Sequence, residues 1–376
     1  MTTVADPSVS ALFQPFAFGH QTLANRIVMA PMTRQQSPGA IPGANVAAYY
    51  RSRAAGGVGL IITEGTTINH PGANGYANVP AFHGAAALAG WQCVVDEVHA
   101  AGGRIIPQLW HVGPVRRPGM EPDPAVPGYG PMTIEDKGTV VVKAMTETDI
   151  ADVVAAFAQA ARDAERIGFD GVELHGAHAY LLDSFLWDGS NQRTDGYGGS
   201  IANRTRIALE VVRAVRAAVS SDFPIVFRFS QWKMSDYAAK IGNTPDELAQ
   251  ILVPLAEAGV DIFHASTRRF WVPAFENSPD TLAAWTRRLT GKPVIAVGSV
   301  GLDREMSSAV FTGTEKLIAS ATGIAAMVEK LEQGDFDLVA VGRALLAEPQ
   351  WANKVQEGRQ AEIHDFTRDA LTSLVA

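Results

Sequence analysis

Two histidines and a tyrosine, His175, His178 and Tyr180, stand close together at the end of the short run Val172-Glu173-Leu174-His175. Imidazoles three positions apart at a strand end can converge on one point, where two N–H donors stabilise negative charge on a carbonyl oxygen. Taken singly, either histidine reads more simply as a hydrogen-bonded core residue. A metal site would need more ligands than two, and no nearby carboxylate has convincing spacing for one. Tyr180 carries a phenol, a neutral proton donor at pH 7. Gly298-Ser299 and Gly342-Arg343 each follow an apolar run, and a guanidinium beside backbone N–H groups suits a phosphate. Gln108 can donate and accept with one side chain, and Arg228 brings a fixed positive charge. Either of these can also serve as a buried bridge between strands.

All of these residues lie at the ends of short β-branched runs. Eight such runs fall at 25–30, 58–63, 104–109, 171–175, 224–229, 260–265, 293–297 and 337–341. Most follow an Ala-rich helical stretch that ends at glycine, the residue that most easily adopts the left-handed turn stopping a helix. The runs do not alternate apolar with polar, so both faces are buried, as in a parallel sheet. Between them, Ile150, Val153, Val154, Phe157, Ala161, Ala164 and Ile167 share one helical face, with Thr146 and Asp149 placed to cap it. Thr244-Pro245-Asp246-Glu247 is a second helix start. Eight β–α units predict a single-domain (β/α)8 TIM barrel over residues 1–376. An open doubly wound sheet is the alternative, weakened by the lack of a Gly-x-Gly-x-x-Gly turn after the first run. Long irregular segments are expected at 113–143, 185–203 and 268–279, each after a strand end, where barrel enzymes build their sites.

Composition narrows the classes. The chain has 376 residues, 47% hydrophobic and 19% charged, enough to bury a large core. Its formal charge of −8 argues against a nucleic-acid partner. One cysteine, Cys93, excludes an internal disulfide or a four-cysteine cluster. Cys93 reads most simply as a buried helix residue. No apolar run approaches a membrane span, and no signal peptide is visible, so a cytoplasmic location is the simplest expectation.

Several motifs resemble those of the Old Yellow Enzyme family. They are Ala30-Pro31-Met32-Thr33-Arg34, Gln108-Leu109-Trp110-His111, and the stretch from Val172 through His175-Gly176-Ala177-His178-Ala179-Tyr180 to Leu182. Arg193-Thr194-Asp195-Gly196-Tyr197-Gly198-Gly199-Ser200 and Val341-Gly342-Arg343-Ala344-Leu345-Leu346 complete the set, and the likeness runs over about 12–355. The resemblance implies a TIM barrel that binds FMN non-covalently, takes a hydride from NADPH or NADH, and passes it to the β-carbon of an activated alkene. It implies His175 and His178 on the acceptor oxygen and Tyr180 as the proton donor to the α-carbon. It implies Pro31, Met32, Thr33, Gly65, Gln108, His175, Arg228, Gly298, Ser299, Gly342 and Arg343 around FMN, with Trp110 against the substrate. Ser299 is a departure, since many members carry Gly or Asn there. Trp271 or Phe270, in the loop 268–273, is a further candidate to lie over the flavin face and line the substrate pocket, not carried by any family motif. Arg268 and Arg269 read as a solvated pair, with the phosphate of NADPH as the other option. A monomer and a homodimer both remain open, with the C-terminal 357–376 as a stretch that can pack on a neighbouring subunit. The competing function is a non-flavin phosphate-binding aldolase or isomerase. A Schiff-base aldolase wants a lysine at a strand end, and none of the eight runs ends in one.

Overall fold

In the computed structural model, residues 7–305, 315–319 and 321–374 are described. Eight parallel strands close into a barrel. They are β1 (Ile27–Met29), β2 (Leu60–Thr67), β3 (Ile105–Trp110), β4 (Val172–Gly176), β5 (Ile225–Ser230), β6 (Ile262–Ser266), β7 (Val294–Val297) and β8 (Leu338–Val341). Each falls on one of the eight expected runs. They pair in chain order, β8 against β1 and β4 against β5, so the sheet has no edge and the doubly wound alternative is excluded. The helices α1 (Ala44–Ala55), α2 (Ala85–Ala100), α3 (Glu147–Arg166), α4 (Ile201–Ala218), α5 (Pro245–Ala258), α6 (Leu282–Thr290), α7 (Ala321–Glu332) and α8 (Trp351–Gln356) surround it.

Strand parity sets what each side chain meets. In most strands odd positions, such as Ile105, Phe227 and Phe263, face the helices and build the outer core, whereas β4 runs in the opposite phase and turns Leu174 outward. Even positions point inward, and the lower interior layer is apolar: Val28, Leu60, Ile62, Ile106, Val226, Ile262 and Leu338. Higher on the same parity come Gln108, Arg228 and His264, joined by Glu173 and His175 from β4, all buried. The barrel is therefore dry below and polar above. A short hairpin, Phe16–Phe18 with Gln21–Leu23, seals the dry end, where Phe18 and Leu23 join the interior cluster.

Helix starts follow the local chemistry. Thr146 Oγ1 accepts from the Asp149 N–H while the Asp149 carboxylate accepts from the Thr146 N–H, a reciprocal cap. Thr244 caps α5 through the Glu247 N–H.

Two expectations are corrected. The segment 113–143 is not wholly irregular: Gly128–Gly130, Ile134–Asp136 and Thr139–Ala144 form a small three-stranded sheet. The β-branched run from Thr139 to Val142 carries it, behind a proline-rich stretch that masks it. Cys93 lies on α2 but is exposed, because Val94, Val95 and Val98 take the buried face. The C-terminal segment packs on its own barrel, where Arg34 Nη2 donates to the carbonyls of Ala370 and Ser373 at 2.8 and 2.7 Å.

Thr146→Ala should lower the unfolding free energy by about 1 kcal/mol, read as a shift in urea midpoint at unchanged slope. An unmoved midpoint would show that the cap contributes nothing.

Candidate active site

After β4 the chain turns within a few residues, with φ of 65° at His178 and 68° at Ala179. Such left-handed angles are uncommon for non-glycine residues. The turn is held by side chains: the His178 N–H donates to Ser230 Oγ at 3.1 Å, and the Ala179 N–H to Asp183 Oδ2 at 2.6 Å. It brings the His175 and His178 rings to 5.3 Å, edge to face, and sets Tyr180 5.0 Å from His175 and 4.8 Å from Trp110. Pro31, Thr33, Gly65, Gln108, Trp110, His175, His178, Tyr180 and Arg228 line one cavity of about 120 Å³. Gly65 is required here, since a Cβ would lie 2.5 Å from the Trp110 ring.

Proton positions follow from partners. His175 Nδ1 accepts from the Ala177 N–H at 3.3 Å, so neutral His175 carries its proton on Nε2. His178 Nε2 lies 2.8 Å from Ser266 Oγ. Burial, aided by the Arg228 charge, holds both imidazoles well below the ordinary histidine pKa, so both are neutral at pH 7. Burial and the neighbouring Tyr76 raise Tyr180 far above an ordinary phenol. Its Oη lies 3.4 Å from Tyr76 Oη.

Beside this cavity, and sharing Pro31, Thr33 and Arg228 with it, lies a larger one of about 830 Å³. Met32, Gly298, Ser299, Gly342 and Arg343 line it. Gly298 has φ of 147°, and a Cβ there would come within 2.9 Å of Thr267 and the Arg269 nitrogen. Ser299 also has a positive φ, 54°, which explains why Gly or Asn suits this position. Its Oγ donates to the Arg268 carbonyl at 3.0 Å. Burial pulls the Arg343 guanidinium down to about 10, with Glu305 opposing, so it remains cationic at pH 7.

The two cavities test whether a flavin nucleotide fits. Arg228 Nε and Arg343 Nη1 are buried with no hydrogen-bond partner among the described residues. Buried donors of this kind call for an acceptor. A phosphate at Arg343 and a ring carbonyl at Arg228 would satisfy them, so the donor set fits FMN. Among the described residues no group of three or more His, Cys, Asp or Glu side chains is placed to hold a metal ion.

Every site residue singled out from the sequence lines one of these cavities except Trp271 and Phe270. Trp271 is 39% exposed, because its neighbour Phe270 takes the interior and Trp271 packs edge-on against it at 5.0 Å. Trp232 and Tyr237, not anticipated, supply aromatic rings at the larger cavity instead, and Trp232 lies 4.5 Å from His178. Arg268 and Arg269 are not simply solvated. Both face Glu305, at 3.2 and 3.9 Å, and Arg268 stacks 3.8 Å over Tyr237. The sequence reading also missed Glu173 and His264. The Glu173 carboxylate accepts from Gln108 Nε2 at 2.7 Å and pairs with His264 Nδ1 at 2.6 Å, fixing the Gln108 amide. A carboxylate and an imidazole inside buried strands were the available signal. The aldolase alternative finds no free lysine in Lys233, which is sealed in an ion pair with Asp183.

The chain matches the model of the NADH:flavin oxidoreductase / NADH oxidase family over residues 11–326. It is 35% identical over 366 residues to an NADH oxidase of Thermoanaerobacter brockii, covering 94% of this chain but 52% of that protein. The chain thus spans about half the length of that oxidase. It is 36% identical to a chanoclavine-I aldehyde reductase of Penicillium roqueforti, covering 93% of this chain and 90% of that one. It is 33% identical to 12-oxophytodienoate reductase 7 of Oryza sativa subsp. japonica, covering 90% and 86%. The structure of morphinone reductase in complex with tetrahydroNAD superposes with a TM-score of 0.78 at 29% identity, covering 97% of each chain. With the barrel, the cavities and these relatives in agreement, the chain belongs to the NADH:flavin oxidoreductase / NADH oxidase family, the Old Yellow Enzyme family of FMN flavoproteins.

Proposed function

We propose that the chain is an NAD(P)H-dependent ene-reductase acting on α,β-unsaturated carbonyl compounds and related activated alkenes. The observation that carries this reading is the convergence of His175, His178 and Tyr180 on one small cavity that adjoins the larger one through Arg228. Arg343, Gly298, Ser299 and Gly342 would hold the FMN phosphate. Gln108, Arg228 and Thr33 would meet the polar edge of its ring, with Pro31, Met32 and Gly65 packing beside it. Bound FMN supplies the hydride, drawn from NAD(P)H, to the β-carbon of the alkene.

The chain's own groups do the rest. The carbonyl oxygen accepts from the His175 Nε2–H and from His178, which stabilise it most when it carries the negative charge that follows hydride addition. Neutral imidazoles suit this task, because a ligand arriving as a neutral carbonyl is not met by a charge that must be desolvated. Tyr180 Oη delivers its proton to the α-carbon, and Tyr76 Oη, 3.4 Å away and closer to solvent, can replace that proton. Trp110 packs against both His175 and Tyr180 and bounds the cavity.

The purified protein should be yellow, and NAD(P)H should bleach it in the absence of oxygen. Tyr180→Phe should leave that bleaching intact but slow reoxidation by an enone by about 100-fold or more. Equal slowing of both half-reactions in stopped flow would contradict the proton-donor role. The pH profile follows from the shifts. Burial lowers the two histidines, so they stay neutral as pH falls through 6.5, and it raises Tyr180, so the phenol stays protonated as pH rises through 10. The rate of reoxidation by an enone should therefore be flat from about pH 6 to about pH 9.5. An inflection near the ordinary histidine value would show that His175 or His178 titrates as an exposed group.

A further inference from the structure

Behind the turn that carries His178 and Tyr180 lies an ion pair that the reaction does not use. Lys233 Nζ donates to Asp183 Oδ1 at 2.7 Å, and both side chains are 0% exposed. Asp183 sits in the short helix Leu181–Leu186 that follows the turn, and its other oxygen, Oδ2, accepts from the Ala179 N–H at 2.6 Å. Lys233 belongs to the loop after β5 and also donates to the Ser230 carbonyl at 3.2 Å. The preceding residue, Trp232, packs its ring 4.5 Å from His178 and donates through Nε1 to the Ser266 carbonyl at 3.2 Å. The pair thus ties the β4 turn to the β5 loop, and neither side chain lines either cavity.

The turn needs such a tie. His178 and Ala179 are consecutive non-glycine residues with φ of 65° and 68°, a conformation that isolated chain avoids because Cβ crowds the backbone. A buried ion pair is costly to desolvate and is a poor source of stability where apolar side chains would fit. Its placement is informative: one carboxylate oxygen holds the strained N–H and the other is held by the ammonium.

Resting on the ene-reductase reading above, we propose that Asp183 and Lys233 are positioning residues that hold the strained His178–Ala179 turn so that His178 and Tyr180 face the acceptor. Lys233 neutralises and orients Asp183, Asp183 anchors the Ala179 N–H, and the anchored turn fixes the two donors. Removing the ammonium lets the turn relax, whereas glycine at 179 adopts the same angles without strain and makes the anchor dispensable.

The test is binding of 4-hydroxybenzaldehyde, whose phenolate oxygen mimics the charged acceptor oxygen, to the FMN-loaded enzyme by calorimetry. Lys233→Met should weaken it by about tenfold or more while FMN stays bound in full, since neither residue lines the FMN cavity. Adding Ala179→Gly to Lys233→Met should restore affinity to within about threefold of the parent. Binding unchanged in Lys233→Met overturns the proposal, and so does a loss that Ala179→Gly fails to restore. Should Lys233→Met not fold, Ala179→Gly alone decides: it should raise the melting temperature by relieving the turn, and a lowered one overturns the proposal. If the parent enzyme itself binds no phenol, the ene-reductase reading has failed, and the melting temperature of Ala179→Gly still judges the clamp.

Discussion

A guanidinium inside a closed ring of strands is expensive to bury, and Arg228 stands there with no partner for its Nε among the described residues. Its neighbours offer little relief. Ser266 Oγ accepts from Nη2 at 3.3 Å, and Glu173, the nearby carboxylate, is already shared between Gln108 and His264. Arg343 repeats the pattern at the rim of the larger cavity, where its Nη1 finds no partner among the described residues. The mouth of the barrel is therefore a cradle of buried donors in a chain whose formal charge is −8. An anionic, acceptor-rich nucleotide completes it, and the rest of the site is arranged around that requirement.

Parity connects this constraint to the fold. Positions along each strand alternate between helices and interior, so the run that places Ile106 and Val226 in the dry layer also places Gln108 and Arg228 in the polar one. The same Arg228 charge that awaits an acceptor helps keep His175 and His178 neutral. One electrostatic feature thus prepares both the cofactor edge and the acceptor donors. The left-handed turn after β4 then sets direction: without it, His178 and Tyr180 would not share a cavity with His175.

The barrel was legible because each strand is a compact apolar run with a glycine or turn before it, and because capping residues announce helix starts at Thr146 and Thr244. The donors were legible because they cluster in one short motif at a strand end. What escaped was chemistry made by distant partners. Glu173 meets His264 across 91 positions and Lys233 meets Asp183 across 50, and no local pattern links them. The choice between Phe270 and Trp271 stayed open because aromatic character does not say which of two adjacent rings turns inward. The interior went to Phe270, which has no polar group to satisfy, while Trp271 stayed at the surface. Cys93 was misjudged for a similar reason: a small apolar residue on an amphipathic helix takes whichever face the larger valines leave.

Comparison of FMN with riboflavin tests the cradle most directly, because the two share a ring system and differ in the phosphate. With protein freed of bound flavin, fluorescence titration should give an FMN affinity at least about 100-fold higher than that of riboflavin, with the advantage shrinking as salt is added. Equal affinities, or an advantage indifferent to charge, would contradict the claim that buried guanidinium groups with unsatisfied donors organise this site.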